Sequence, residues 1–362
     1  MNREAGLYTA LFCITLLVTG MLAATNLRTF HAPESVRLLN GELAKALEAH
    51  YDAKFPGKQL GVNLWAAIDY TLFNEGRPGV VIGAHGWLYT DEEFDVTDDA
   101  QSSIEANLAA ISRARDALAK KDVKLIAAVV PAKVRVYSEY IADRKPSSAH
   151  EAAYDDLVDA LTAHDIPTAD LREILIVGKT KEPTYFRTDT HWTPWGAQLA
   201  ANEIARVTTR ADLAPERRAA YITRRQRRDA HRGDLCNFLP LAPYFTQLLP
   251  PRESVDVMHT DAAVPAGNTD LFGDSDLPSV VLVGTSYSAN PLWNFLGALK
   301  QSLGADIASY AREGAGPFRP MAAYLQSEDF RNHPPRLVIW EIPERALFLP
   351  PRRATDTAAQ TL

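Results

Sequence analysis

The architecture of this chain is most clearly indicated by the segment Ser279-Val280-Val281-Leu282-Val283-Gly284-Thr285-Ser286-Tyr287-Ser288. Its first half is uniformly apolar, as in a strand of a parallel sheet that is covered on both faces. The small residues after the strand predict a tight turn, and a helical pattern begins directly behind them. A turn between strand and helix exposes one side chain and directs backbone N–H groups toward it. Ser286 stands in this turn and is therefore a candidate nucleophile.

A second segment, Thr188-Asp189-Thr190-His191-Trp192, supplies the partners that a nucleophilic serine needs. A serine hydroxyl requires a base, and an imidazole base requires an orienting carboxylate. The segment ends at Thr193-Pro194, which has the composition of an N-cap followed by the first position of a helix. Either segment alone is more commonly a turn or a surface ion pair. Together they predict Ser286 as nucleophile, His191 as base and Asp189 as the orienting acid.

Asp189 and His191 would also suit a metal ion. Zinc in proteins is held by histidine, cysteine and carboxylate ligands. His231 and Cys236 are further donors in the sequence, but they lie in a segment without a regular pattern and do not supply a convincing third ligand. We therefore expect no metal and no other cofactor at this site.

The composition is that of an ordinary globular protein. The 362 residues suffice for one sizeable core with insertions. A net charge of −7 argues against nucleic acid as a partner. The two cysteines, Cys13 and Cys236, lie in unlike segments and do not indicate a disulfide framework.

The N-terminal residues 5–27 contain no charged side chain, and the run is long enough to cross a bilayer. We expect residues 1–27 to be a signal anchor that holds the protein on the inner membrane. A cleaved signal peptide is the alternative, because Leu22-Ala23-Ala24 offers small residues for cleavage, and a buried core helix is a third interpretation. Either export route places the remaining chain in the periplasm.

Beyond the apolar segment, strand and helix patterns alternate along the chain. The predicted parts are a helical lead-in over residues 28–78, an α/β domain over 79–350 with an irregular insertion at 208–278, and a disordered tail at 351–362. Alternating units of this kind predict a mostly parallel sheet covered on both faces. Ligands of such sheets bind beyond the carboxyl ends of the strands. Ser286, Gly314, Gly316 and Glu341 each follow a predicted strand and should gather at that edge.

The predicted insertion contains a cluster of arginines, namely Arg224, Arg225, Arg227, Arg228 and Arg232. A run of charge is most simply a solvated face. The functional alternative is a contact for an acidic polymer or a membrane surface. On that alternative, Arg225 and Arg228 are candidates for substrate binding.

Five motifs of the chain match one family when they are taken together. They are Gly86-Trp87-Leu88, Val130-Pro131-Ala132-Lys133, Asp189-Thr190-His191-Trp192, Gly284-Thr285-Ser286-Tyr287-Ser288 and Trp340-Glu341-Ile342-Pro343-Glu344-Arg345. In these motifs the chain resembles the SGNH-type O-acetyltransferases of bacterial exopolysaccharide export, in particular the alginate O-acetyltransferases (AlgJ/AlgX-like proteins). The resemblance implies an SGNH-hydrolase-like three-layer fold. It also implies a permuted order of catalytic motifs, in which acid and histidine precede the serine.

The resemblance also implies roles for individual residues. Ser286, His191 and Asp189 match the catalytic serine, base and acid, and Gly314 or Gly316 matches the glycine that lends an N–H to the oxyanion hole. Trp192, Tyr287 and Arg345 are further candidates for substrate contacts. The chain departs from general SGNH hydrolases after its last predicted strand, where it has no asparagine to complete the oxyanion hole.

The activity that the resemblance implies is a two-step acetyl transfer through an acetyl-serine. The acceptor would be a hydroxyl group of an exopolysaccharide, alginate or a similar polymer. The acetyl group would come from a membrane-bound O-acyltransferase, and other polysaccharide export proteins would be partners. Two alternatives stay open at this point. One is a periplasmic carbohydrate acetyl-esterase, and the other is a non-catalytic polymer-binding subunit of a secretion complex.

Overall fold

The structure is a computed structural model that describes residues 3–33, 40–55, 57–96, 98–142, 144–215, 219–263 and 277–350. The predicted disordered tail, residues 351–362, lies outside the described residues. The chain divides into two compact units, Met1–Gly76 with Leu239–Leu249, and Arg77–Phe238 with Pro250–Leu362. Leu239–Leu249 therefore groups with the N-terminal part of the chain, whereas the sequence placed it inside the α/β domain.

The first unit is helical. Its helices are α1 (Arg3–Leu27), α2 (Glu42–Lys54) and α3 (Lys58–Ile68), and α3 continues as one π-helical turn, Asp69–Phe73. Within α1, Gly6–Thr25 is long and apolar enough to cross a membrane, and its side chains are not buried against the rest of the chain. A helix of this kind is consistent with the predicted anchor or signal peptide. The helices α2 and α3 occupy the predicted lead-in.

The second unit contains the strands. They are β1 (Val81–Ile82), β2 (Leu88–Tyr89), β3 (Lys124–Val130), β4 (Thr168–Asp170), β5 (Tyr221–His231), β6 (Glu253–Ala262), β7 (Val280–Val283), β8 (Ile307–Ser309) and β9 (Leu337–Pro343). Five of these described strands form one sheet in the order β4-β3-β9-β7-β8, and every neighbouring pair is parallel. The predicted parallel sheet is therefore confirmed.

Helices cover both faces of this sheet. They are α4 (Ala100–Ala119), α5 (Lys133–Val136), α6 (Ser148–Ala163), α7 (Arg172–Gly178), α8 (Pro194–Arg210), α9 (Ser286–Ala289), α10 (Phe295–Leu303), α11 (Phe318–Leu325) and α12 (Glu328–Asn332). Alternate strand residues enter different cores, because successive side chains of a strand point to opposite faces. Leu282 and Ile339 pack in the core with α8 and α10, whereas Val281 and Val338 pack in the core with α4, α6 and α11. The sheet is therefore the middle layer, and the helices packed against its two faces are the outer layers of a three-layer unit.

The sequence predicted an irregular insertion at residues 208–278. This prediction is wrong for the residues of β5 and β6, which form regular strands. The strands β5 and β6 form a long antiparallel ribbon with a bulge between Arg225 and Arg227. Only Val255 and Val257 of the ribbon are buried. The arginine-rich strand has no apolar face, so its sequence lacks the alternation by which strands are recognised.

Candidate active site

The structure brings the three predicted catalytic side chains into one chain of hydrogen bonds. Nε2 of His191 lies 2.7 Å from Oγ of Ser286, and Nδ1 of His191 lies 2.6 Å from Oδ1 of Asp189. A carboxylate only accepts hydrogen bonds, so Nδ1 must carry the proton. Nε2 of the neutral ring is then free to accept the serine proton, which is the tautomer that a general base requires.

The carboxylate of Asp189 receives four N–H donors. Oδ1 accepts the Nδ1–H and the backbone N–H of His191, and Oδ2 accepts Nε2–H of His231 at 2.9 Å and the backbone N–H of Asp234 at 3.0 Å. Burial alone would raise the pKa of Asp189. The hydrogen bonds from His191 and His231 outweigh burial and hold this pKa well below its usual range. Asp189 is therefore ionised at neutral pH.

Asp189, His191 and Asp234 are also possible ligands of a metal ion. Among the described residues, these three bring possible ligand atoms within 4.8 Å of one another. Nδ1 of His191 carries the proton that it donates to Asp189, so it has no lone pair for a metal ion, and both oxygens of Asp189 already accept hydrogen bonds from His191 and His231. The donors present fit a proton relay better than a metal centre.

Hydrogen bonds to Glu341 hold the turn that carries Ser286. The carboxylate of this fully buried residue accepts hydrogen bonds from the backbone N–H and Oγ1 of Thr285, at 2.7 and 3.0 Å, and from Oγ of Ser288 at 3.0 Å. Gly284 permits this approach, because a Cβ at its position would lie 2.5 Å from Oε2 of Glu341. Burial raises the pKa of Glu341, and the three donors oppose that rise. The sequence placed Glu341 at this edge without assigning it a role.

The imidazole of His191 lies against Trp293. The two rings stack with centroids 4.7 Å apart, and Nε1 of Trp293 donates a hydrogen bond to the carbonyl of Ser286 at 3.0 Å. Trp293 thus contacts the predicted base and holds the backbone of the predicted nucleophile. Sequence reasoning did not identify it, because it lies seven residues beyond Ser286 in an unremarkable helical pattern.

Two predicted substrate contacts, Trp192 and Tyr287, are corrected by the structure. Both side chains are fully buried, and their rings pack edge to face at 5.1 Å. Nε1 of Trp192 donates to the carbonyl of Tyr287, and the Tyr287 hydroxyl donates to the carbonyl of Thr190. These aromatic residues therefore join the two segments that carry the predicted catalytic residues from inside the core and present no surface to a substrate.

A cavity of 410 Å³ opens beside Ser286 and contains both predicted oxyanion glycines in its wall. Gly314 and Gly316 adopt φ values of 66° and 63°, a conformation that favours glycine. Ser286 itself opens α9, where the first N–H groups have no partner within the helix. The backbone N–H groups at the start of α9 and those of Gly314 and Gly316 are therefore candidates for an oxyanion hole.

Of the three arginines that the sequence suggested for substrate binding, one lines the cavity and two lie on the ribbon. Arg345 lines the cavity, with Nε 3.1 Å from Glu92 and one guanidinium N–H on the Tyr287 hydroxyl. Arg319 also lines it, and no acidic side chain of the described residues pairs with Arg319. In contrast, Arg225 and Arg228 lie on the exposed ribbon and share one carboxylate, Asp256.

Comparison with known proteins identifies the family of this chain. Residues 80–344 match the family model described as SGNH hydrolase-like domain, acetyltransferase AlgX. The probable alginate O-acetylase AlgJ of Azotobacter vinelandii is 46% identical over 351 residues, which cover 96% of this chain and 90% of that protein. The AlgJ of Pseudomonas aeruginosa is 48% identical over 325 residues, 88% of this chain and 83% of that protein.

Solved structures give the same result. The O-acetyltransferase domain of Pseudomonas putida AlgJ superposes with a TM-score of 0.70 at 42% identity, covering 75% of this chain and 93% of that one. Pseudomonas aeruginosa AlgX shares the fold, with a TM-score of 0.54 at 24% identity over 81% of this chain and 65% of that one. Since the family model and the relatives both span most of its length, this chain belongs to the AlgX acetyltransferase family with an SGNH hydrolase-like domain.

Proposed function

We propose that this chain is a periplasmic O-acetyltransferase that carries an acetyl group on Ser286 and passes it to a hydroxyl group of alginate or a similar acidic exopolysaccharide. The observation that carries the proposal is the unbroken chain of hydrogen bonds from Asp189 through His191 to Ser286, beside a cavity. The relatives named alginate O-acetylases support the choice of acyl group and polymer.

In the first step, Oγ of Ser286 attacks the carbonyl carbon of an acetyl ester while Nε2 of His191 takes the serine proton. The bond between the carbonyl carbon and the donor oxygen then breaks, and His191 returns the proton to the leaving alcohol. Asp189 keeps the imidazole in the required tautomer and stabilises the imidazolium that forms. The product is an acetyl-serine.

The negative charge on the carbonyl oxygen requires donors at the moment of attack. The backbone N–H groups of Ser286 and of Gly314 or Gly316 are the donors that the cavity wall offers. A positioned donor of this kind contributes about 3–4 kcal/mol to the transition state.

In the second step, a sugar hydroxyl attacks the carbonyl carbon of the acetyl-serine while His191 accepts the hydroxyl proton. The bond between that carbon and Oγ of Ser286 then breaks, and His191 returns the proton to Oγ. A polyuronate acceptor carries a carboxylate on every residue, so a cation near the cavity would help to hold it. Arg319 suits this role, because the described residues provide it with no acidic partner. Arg345 has a partner in Glu92 and would contribute less.

The first unit and the chemistry of the reaction support a location and a set of partners. The apolar helix α1 would anchor the protein to the inner membrane, with the catalytic unit in the periplasm. A membrane-bound O-acyltransferase would supply the acetyl groups, and other polysaccharide export proteins would deliver the polymer.

The test uses the purified chain, an activated acetyl ester as donor and mannuronate oligosaccharides as acceptors. We expect intact-protein mass spectrometry to find one acetyl group on Ser286, which disappears when the oligosaccharide is added and reappears on it. Release of free acetate at an equal rate with and without acceptor would show an esterase instead. An absence of any acetyl-enzyme and any ester turnover would favour a non-catalytic subunit.

A further inference from the structure

The mechanism above makes no use of one fully buried charged residue, Lys133. Its Nζ donates hydrogen bonds to three backbone carbonyls, those of Leu88 at 2.5 Å, Arg187 at 2.9 Å and Asp189 at 2.9 Å. Within the described residues it forms no ion pair with a carboxylate. An ammonium group has three N–H donors, so these three carbonyls use its hydrogen-bonding capacity completely.

The surroundings of Lys133 hold its backbone as well as its side chain. The carboxylate of Glu93 accepts the backbone N–H groups of Lys133 and Val134 at 3.1 and 2.9 Å. The ammonium lies 5.2 Å from the ring of Trp87 and 5.3 Å from the ring of Tyr89. Such contacts with aromatic faces favour a buried cation. Three carbonyl acceptors and two aromatic rings therefore fix the position of the Lys133 ammonium.

Residues from three of the sequence motifs are joined by the hydrogen bonds of Nζ of Lys133. Leu88 belongs to Gly86-Trp87-Leu88, Lys133 ends Val130-Pro131-Ala132-Lys133, and Asp189 begins Asp189-Thr190-His191-Trp192. Lys133 follows β3 and so lies at the carboxyl edge of the sheet, where Ser286 follows β7. Its side chain thus ties the segment that carries the acid and the base to the sheet that carries the nucleophile.

We infer that Lys133 is a positioning residue, whose ammonium fixes the backbone at Asp189 and thereby the hydrogen bond between Asp189 and His191. It touches neither substrate nor reacting atoms. The inference rests on the proposed function, because it assigns Lys133 a part in the same acyl transfer. Misplacement of catalytic groups by about 1 Å lowers turnover by about 100-fold.

Protonation of Lys133 gives this role a pH dependence. Burial lowers the pKa of Lys133 to about 8, although the charges of Glu93, Glu253, Asp189 and Asp234 oppose that change. A neutral amine has two N–H groups and cannot serve all three carbonyls. Turnover should therefore fall as the pH rises above about 8, because the neutral amine leaves one of the three carbonyls without a donor.

The experiment compares Lys133→Met with the wild type in the full chain. Methionine keeps the length of the stem and removes all three donors. We expect labelling of Ser286 by a fluorophosphonate, and kcat for an activated acetyl ester, to fall about 10- to 100-fold with little change in KM. The remaining activity should no longer decline above pH 8. The proton NMR signal of the His191 Nδ1–H should also move.

A matched control is Lys179→Met, because Lys179 also donates to a backbone carbonyl, that of Val136, and lies over the ring of Tyr137. It lies outside the catalytic segments, so its labelling rate, pH profile and NMR signal should equal those of the wild type. Normal labelling of Lys133→Met would overturn the inference. A wild-type chain that does not react at all would instead refute the proposed function.

The wild type provides a second measurement if Lys133→Met does not fold. Its His191 Nδ1–H signal and its labelling rate should change together between about pH 7 and pH 9.5. If both stay constant over that range, protonation of Lys133 has no influence on the catalytic residues, and the inference is wrong.

Discussion

Nε2 of His231 lies 2.9 Å from Oδ2 of Asp189, the carboxylate oxygen that does not contact the side chain of His191. One carboxylate is thus held between two imidazoles. His231 is the last residue of β5, so the ribbon that carries four of the five clustered arginines also provides a partner of the predicted catalytic acid. Through His231 the ribbon contributes to the candidate site, whether or not its arginines bind a polymer.

The first prediction concerns this contact. His231→Ala removes one of the four donors to Asp189, so the pKa of that carboxylate should rise and its orientation should loosen. A hydrogen bond to a charged group contributes about 1.5–3 kcal/mol, and we expect kcat for an acetyl ester to fall roughly 10-fold. His231→Gln should lose less, because its amide can still donate. Equal activity of wild type and His231→Ala would show that the contact is only structural.

The second prediction concerns Ser286. Ser286→Ala removes the atom to which Nε2 of His191 is hydrogen-bonded, so acetyl-enzyme formation should stop and turnover should fall by at least about 10⁴-fold. The thermal unfolding midpoint should change little, because only one oxygen is lost. Ser302→Ala is a suitable control, since Ser302 bonds to Gln198 and Asn202 on another part of the unit. Full activity of Ser286→Ala would refute the assignment of the nucleophile.

The third prediction concerns stability at acid pH. The pKa of Asp189 is lower in the folded chain than in the unfolded chain. Its contribution to the free energy of unfolding is therefore complete above an unfolded pKa of about 4 and is lost as the pH falls below that value. Asp234 has the opposite sign, because burial and the charge of Asp189 raise its pKa.

The two effects are separated by working in an Asp234→Asn background. In that background, urea unfolding between about pH 3 and pH 6 should show a steep loss of stability on acidification. Adding Asp189→Asn should flatten this dependence and lower the stability at pH 6. An unchanged slope would mean that the hydrogen bonds from His191 and His231 do not hold the charge of Asp189.

Local sequence patterns were sufficient for the sheet and for the positions of the two catalytic segments. Thr193 caps α8 as predicted, with its side chain accepting the N–H of Gly196. The apolar run before Gly284 forms β7, and Ser286 follows it in the turn to α9. These features depend on residues that are close in the chain, which is why a single sequence could show them.

The contacts that the sequence did not predict are long-range. His231 reaches Asp189 only because β5 pairs with β6, and the carbonyl contacts of Lys133 span 45 to 56 residues. The orientation of Trp192 was equally hidden, since neighbouring side chains of an extended segment point in opposite directions. His191 therefore faces Ser286, whereas Trp192 enters the core.

The last prediction concerns the acceptor. Arg228 makes two hydrogen bonds to Asp256, and Arg225 lies 3.5 Å from the same carboxylate, so both are partly neutralised and exposed. Arg319 lines the cavity of Ser286 and has no acidic partner among the described residues. Arg319→Gln should therefore raise KM for a mannuronate oligosaccharide several-fold and leave turnover of a small neutral acetyl ester unchanged.

The matched variant is the double change of Arg225 and Arg228 to glutamine, which removes more positive charge at a site away from the cavity wall. Exposed ion pairs contribute about 0–1 kcal/mol and weaken with salt, so we expect a smaller increase in KM that disappears at high ionic strength. If the double variant loses more acceptor affinity than Arg319→Gln, the ribbon guides the polymer and the cavity arginine does not. If both variants lose turnover of the neutral ester, these arginines support the fold of the site, and the acceptor must be held by other residues.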